Sequence, residues 1–202
     1  MAHQYPFDLA PAPDYSLASF QRGASNQDAF SAISAFPDWP SPVLLLLGPT
    51  GCGKTHLGSA WASDSGDQKF LDDADLLDEE TLFIAINQAL NGEVSGLLLA
   101  AARAPKLWNT DLPDLRSRLH NIPVIRLSEP EDDILEPIIR KLFEDLGRSV
   151  KADVVAYILK NYERSVPAVS NLVRDIDRAA SAEKRDITKA YLAKYLKRAG
   201  GG

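Results

Sequence analysis

A parallel α/β sheet flanked by helices, followed by a small all-helical unit, is the fold class this sequence predicts. Three observations carry it. Short continuous apolar runs at Val43–Leu47 and Leu97–Ala101, with a third at Pro123–Leu127, alternate with helical periods, as strands buried in a parallel sheet do. A glycine-rich turn joins the first run to a helix. After Leu127 the strand signal stops, and only helical patterns remain.

Residues 1–15 carry three prolines and no helical or strand period, so they are expected to form an extended tail. From Ser16 a helical pattern is expected, with Ser25 and Asn26 as N-cap residues and Ala29, Ile33 and Phe36 on one face. Phe36–Pro42 breaks it, because a residue before proline is driven out of the α region. The strand Val43–Leu47 leads through glycines into a helix from Lys54 to Ala62. Asp78–Leu90 is a further helix with Leu82, Ile86, Ala89 and Leu90 on one face, ended by Asn91-Gly92. Leu97–Ala101 and Pro123–Leu127 are expected as the second and third buried strands. Four helices follow over 130–147, 151–162, 166–181 and 188–197, with Ser149 and Asp186/Thr188 as starts and Gly147 as a stop. The domain division is a tail (1–15), an α/β domain (16–127), a helical domain (128–198) and a terminal segment (199–202).

The chain has 202 residues, 45% hydrophobic and 25% charged, which suits a globular protein. Twenty-two Lys and Arg against 28 Asp and Glu give a net charge of −6. A surface that binds duplexes mainly by neutralising phosphates is basic, so generic duplex binding is not expected of this acidic chain, in which basic residues show no concentration. One cysteine excludes an intrachain disulfide. No apolar run approaches the roughly 20 residues a membrane span requires, and no basic-then-apolar leader opens the chain. A cytoplasmic protein with no membrane partner is expected.

Gly48-Pro49-Thr50-Gly51-Cys52-Gly53-Lys54-Thr55 fits G-x-x-x-x-G-K-[ST] and lies between a buried strand and a helix, as that motif demands. Its glycines let successive backbone N–H groups curl around phosphates, helped by the positive end of the following helix. Lys54 reaches the outer phosphates and the Thr55 hydroxyl ligates Mg²⁺, so ADP or ATP with Mg²⁺ is the expected cofactor. Cys52 occupies a position that needs a small side chain, and no His/Asp partner signature supports a nucleophile. In Lys69-Phe70-Leu71-Asp72-Asp73-Ala74-Asp75, Asp72 is the candidate Mg²⁺ partner and Asp73 the candidate to polarise an attacking water. An acidic helix start is the alternative reading of that cluster.

With these motifs in view, the sequence resembles the DnaA/Hda family of AAA+ proteins, most closely the short Hda-like regulators, over nearly its whole length. Phe20-x-x-Gly23-x-Ser25-Asn26 looks like the family's segment before the first strand, which implies that Phe20 packs against the adenine. Gly48–Leu57, including His56, is similar to its phosphate loop. Leu112–Leu119 looks like its box VII, which implies that Arg118 acts across a subunit boundary as an arginine finger, with Arg116 as helper. Pairing of Arg118 with Asp114 one helical turn away is the competing structural role. Gln4-Tyr5-Pro6-Phe7-Asp8-Leu9 resembles the family's clamp-binding peptide, which implies that Gln4, Phe7 and Leu9 dock on the DNA polymerase III sliding clamp (beta subunit). The helices from Pro130 resemble the AAA+ lid, and the chain stops where DnaA would begin its helix-turn-helix domain, so the resemblance implies no direct sequence-specific DNA binding. DnaA is then the implied partner, its bound ATP the implied substrate, and negative regulation of replication initiation the implied role. A homo-oligomer is left open. The alternative is a DnaC/IstB-like helicase or transposase loader ATPase.

Three departures from the family pattern set further expectations. Only 17 residues separate Lys54 from Asp72, too few for the usual extra strand and helix, so the sheet is reduced or a segment is missing. Leu97–Arg103 carries alanines where sensor 1 offers a polar residue. Pro167 stands near the place of the sensor 2 arginine, for which Arg164 or Arg174 could substitute. Such a site binds nucleotide, ADP above all, better than it hydrolyses ATP. His56, His120 and His3 have no metal-ligand spacing; Trp39, Trp61 and Trp108 are expected to pack; Glu131-Asp132-Asp133 is expected to favour a helix start.

Overall fold

A computed structural model describes residues 15–63 and 66–199. The candidate clamp-binding residues Gln4, Phe7 and Leu9 lie outside them. The elements run α1 (Gln27–Ser34), β1 (Val43–Leu47), α2 (Lys54–Ser63), β2 (Gln68–Leu71), α3 (Glu79–Leu90), β3 (Gly96–Ala101), α4 (Pro113–Asn121), β4 (Val124–Arg126), α5 (Asp132–Asp145), α6 (Ala152–Asn161), α7 (Val166–Glu183) and α8 (Lys189–Ala199). The four strands form one parallel sheet in the order β2-β3-β1-β4. Among the described residues no strand stands between α2 and β2.

Alternation along the two central strands divides the body's core in two. Val43, Leu45 and Leu47 of β1, with Leu97, Leu99 and Ala101 of β3, face Leu82, Ala85, Ile86 and Ala89 of α3 and Leu115 and Leu119 of α4. Leu44, Leu46 and Leu98 point to the other face, against Ala29 and Ile33 of α1 and Leu57 and Trp61 of α2. β1 pairs in register with β3, Val43 opposite Leu97 through Leu47 opposite Ala101, so every residue of β1 is buried. At about 1.5–3 kcal/mol for each fully buried Leu, these two strands anchor the body.

Several sequence expectations need correction. The helical pattern from Ser16 yields only a turn at Ser16–Ser19, and α1 starts at Gln27. Phe20 is drawn into the core, and Asn26 at the N-cap position turns its side chain back, accepting from the Gly23 N–H and donating to the Gln21 carbonyl. The third strand is not buried: β4 is an edge with Val124 and Arg126 exposed, because it pairs with β1 alone. Leu90 is exposed too, at the last turn of α3. Lys151, not Ser149, precedes α6 as its N-cap residue. The other boundaries follow local chemistry. Asp78 caps α3 by accepting from the Thr81 N–H at 2.8 Å, Thr188 accepts from the Tyr191 N–H at 3.2 Å, and Ser165 caps α7.

Helices α5–α8 enclose a separate cluster built around Ile139, Phe143, Ile158, Val173, Ile176 and Leu192. This helical unit meets the body at named points. Asp133 accepts from the Ala24 N–H at 3.0 Å, and the Val166 N–H donates to the Gly51 carbonyl at 3.3 Å. Among the described residues no helix is long and apolar enough to cross a membrane.

Candidate functional site

The candidate site lies at the carboxyl ends of the parallel strands, where β1 has neighbours on both sides and the chain changes direction across the sheet. In open α/β sheets this switch point is where ligands bind. Gly48 follows β1 directly and its N–H donates to the Ala101 carbonyl at 3.1 Å, which ties the loop to β3. Gly51 (φ +77°) and Gly53 (φ +102°) hold backbone conformations that side chains disfavour, so the turn needs glycine at both. A side chain at Gly53 would also meet the Phe20 ring at 3.4 Å, and one at Gly51 would strike Ser165 at 2.6 Å.

Lys54 opens α2 and is buried, its Nζ donating to the carbonyls of Gly48 (2.9 Å) and Pro49 (2.8 Å). The ammonium group therefore lies inside the arc of the loop. The next residue, Thr55, donates through its Oγ1 to Oδ2 of Asp72 at 2.5 Å. Asp72 stands one residue beyond β2, so the sheet brings together two residues 17 apart in sequence. Asp73 beside it is exposed and left-handed (φ 46°), with its N–H donating to Asp72 Oδ1 at 3.0 Å. A hydroxyl and a carboxylate in contact form a hard oxygen pair of the kind that suits Mg²⁺ completed by phosphate and water oxygens.

Cys52 is buried within the loop, and burial raises its thiol above the ordinary value of 9.0, against the pull of Lys54. That environment suppresses the thiolate and supports a packing role. His56 faces the segment before α1: its Nε2 lies 3.2 Å from Ser19 Oγ and 3.1 Å from the Ser16 carbonyl, with its ring edge-on to Phe20. Phe20 stacks on Phe30 and is itself almost wholly buried against the loop.

Arg118 sits on α4, and the pairing with Asp114 is present at 3.0 Å. It also donates to Asn87 Oδ1 and lies over the Phe83 ring at 5.1 Å, so two α3 residues hold it as well. Arg116 is exposed on the same helix. Sequence reading missed Asn87 and Phe83, whose proximity to Arg118 exists only in the fold. At the end of β3, Ala100 and Ala101 are buried and offer no polar side chain. The chain around Ser165 and Pro167 does reach the loop at Gly51, whereas Arg164 pairs with Asp132 at 2.8 Å and Arg174 is exposed. His120 bonds its own helix, Trp39 and Trp61 stack at 4.9 Å, and Trp108 donates to the Arg103 carbonyl, so all four have structural roles. Asp132 and Asp133 occupy the first turn of α5, as their charge favours. Among the described residues no group of three His, Cys, Asp or Glu could hold a metal on its own.

No protein-family model matches the sequence. Solved structures do. Domain III of the replication initiation protein DnaA from Thermotoga maritima superimposes with a TM-score of 0.77 at 18% identity, over 93% of this chain and 97% of that one. AMPPCP-bound DnaA from Aquifex aeolicus gives 0.65 at 21% identity, over 82% and 66% of the two chains. The RuvB Holliday junction branch migration motor of Thermotoga maritima gives 0.69 at 19% identity, over 91% and 71%. On that likeness this chain has the fold of domain III of DnaA, a parallel sheet with flanking helices.

Proposed function

We propose that the chain is an Hda-like regulator of replication initiation: a nucleotide-binding AAA+ protein that docks on the polymerase sliding clamp and promotes hydrolysis of DnaA-bound ATP. The observation that carries the nucleotide part is the contact of Thr55 with Asp72 across the strand ends, beside a lysine already enclosed by its glycine loop. In this reading Gly48–Thr55 cradles the phosphates of ADP or ATP, Thr55 and Asp72 hold Mg²⁺, and Phe20 and His56 border the base. The bound nucleotide supplies negative charge that Lys54 and the loop N–H groups neutralise. Asp73 is the residue assigned to orient water. With alanines at the end of β3 and Arg164 tied to Asp132, intrinsic turnover is slow.

The regulatory part rests on the resemblance of the box VII segment and the tail, supported by the match to domain III of DnaA over nearly its full length. AAA+ folds related to DnaA work where one subunit's arginine meets a neighbour's nucleotide. Arg118, presented from α4, stabilises charge that develops during hydrolysis on the partner, an effect worth about 10³–10⁵ in rate for arginine fingers. Gln4, Phe7 and Leu9 bring the chain to the clamp.

The likeness to RuvB favours a second reading, a motor or loader ATPase of the DnaC/IstB kind. Both are tested by adding the chain to DnaA preloaded with labelled ATP, with DNA-loaded clamp present. The regulator accelerates hydrolysis at least ~10-fold, and Arg118→Ala or Gln4→Ala/Phe7→Ala abolishes the acceleration. Absence of acceleration by the parent, together with Lys54-dependent steady-state ATPase of the chain alone, would favour the loader.

A further inference from the structure

The sequence expectation that basic residues are nowhere concentrated fails at the end of the helical unit. From Glu183 to Arg198 the chain carries Lys184, Arg185, Lys189, Lys194, Lys197 and Arg198 against Glu183 and Asp186, a net +4 in a protein whose total is −6. All six cations are exposed, and among the described residues none makes an ion pair, although six ion pairs form there elsewhere. Fold stability does not explain the whole set. Lys197 and Arg198 complement the carboxyl end of α8, and Lys184 and Arg185 that of α7. Lys189, however, is the first residue of α8, where the helix dipole disfavours a cation. Lys194 lies mid-helix, three and four residues from Lys197 and Arg198, so like charges repel across one turn.

Three of them, Lys194, Lys197 and Arg198, share one outward face of α8. Leu192 is buried and Tyr191, Tyr195 and Leu196 pack partly against the helical core, which leaves Lys194, Lys197 and Arg198 on the opposite side. Lys194 and Arg198 border a shallow hollow with Tyr191, Tyr195 and Glu183, and Lys189 lies over the Tyr157 ring at 5.9 Å. Arg178 of α7 is exposed and pairs with Asp175 at 3.6 Å.

We infer that the α8 face is a sequence-independent contact surface for the phosphate backbone of nucleic acid. A polyanion relieves the repulsion among the clustered cations, and the partly exposed edges of Tyr191 and Tyr195, which border the hollow with Lys194 and Arg198, suit contact with sugars and bases. The surface is distinct from the phosphate loop, so it is independent of the nucleotide reading. It gives an acidic protein a local hold on DNA without overall basic charge.

Fluorescence anisotropy of a labelled 25-base-pair duplex and of a labelled 30-nucleotide dT strand, titrated with the full chain, tests this. Micromolar binding is expected, weakening roughly 10–30-fold between 50 and 150 mM salt, as a few phosphate contacts dictate. Lys194→Glu/Lys197→Glu/Arg198→Glu should lower affinity at least 10-fold. Lys106→Glu/Lys141→Glu/Lys160→Glu, which changes net charge equally at exposed sites elsewhere, should leave it within about 2-fold; circular dichroism checks that both variants fold. No binding by the parent at 50 mM salt, equal loss in both variants, or binding to phosphatidylserine vesicles without binding to either oligonucleotide would each overturn the assignment.

Discussion

At the carboxyl ends of β1 and β2 the chain places glycines, a lysine, a threonine and a carboxylate; around the amino ends of β1 and β3 it places Phe36, Trp39 and Trp61. The aromatic end is closed. Trp39 stacks on Trp61 at 4.9 Å, Phe36 meets both edge-on at 5.0 and 5.4 Å, and a side chain at Gly96 would strike the Phe36 ring at 2.6 Å. At the opposite end polar groups face one another and the helical unit: Lys54 its own carbonyls, Thr55 the Asp72 carboxylate, Gly51 the backbone of Val166. One end is made of aromatic packing contacts. The other holds donors and a carboxylate in an arrangement that a phosphate and a cation could enter. The sheet therefore separates stability from chemistry, and substitutions at its two ends should separate in the same way.

The largest effect is expected at the closed end. Trp61→Ala removes a buried indole from the aromatic stack and should lower unfolding free energy by about 3–5 kcal/mol in urea titrations, with nucleotide affinity of the remaining folded protein unchanged. If affinity fell in step with stability, the two ends would not be separable.

A smaller effect is expected beside the site, at the Asp75–Arg103 pair that joins the turn after β2 to the end of β3 at 2.8 Å. Burial pushes the Asp75 carboxyl up, but the Arg103 hydrogen bond and the Ala102 N–H outweigh it, so the group sits below its ordinary 3.8. A carboxylate depressed in the folded state contributes stability above its unfolded value and loses it as pH falls. Asp75→Asn should therefore cost about 1–2 kcal/mol at neutral pH, and the difference from the parent should shrink as pH drops below about 4. A gap that stays constant with pH would show that the charge of Asp75 is not what matters.

The smallest effect concerns Cys52. Its raised thiol and burial predict alkylation by iodoacetamide at neutral pH at least ~10-fold slower than that of a free cysteine, with little loss of stability in Cys52→Ala. Rapid alkylation of the folded chain would mean that the loop opens far more often than its hydrogen bonds imply.

The same contrast explains how much was legible from sequence. β1 and α2 could be read because a run of five buried residues and a glycine motif each leave local signatures. β2 has four residues, only partly buried, and leaves no apolar run of its own; only the acids that follow it mark the place. β4 was misjudged because apolar residues at an edge look like those in a centre; which neighbours a strand acquires is a property of the sheet. Phe20 was foreseen at the site only through family resemblance, since the helical pattern around it dissolves into a turn. Asn87 and Phe83 beside Arg118, and Ser165 on Gly51, lie 31 and more residues from what they touch, and no spacing rule reports such contacts. The basic face of α8 was visible as residues, but its outward concentration emerged once Leu192 fixed which side is buried.

The central claim is that the carboxyl end of the sheet holds a nucleoside phosphate with Mg²⁺. Titration of a fluorescent ADP analogue into the parent, Lys54→Ala and Asp72→Asn, each with and without Mg²⁺, tests it most directly. The account predicts binding by the parent, a loss of roughly 10–100-fold in Lys54→Ala as a charge-assisted contact of about 1.5–3 kcal/mol is removed, and a Mg²⁺ enhancement that Asp72→Asn diminishes. Equal affinity in the parent and Lys54→Ala, or no binding by the folded parent, would contradict it.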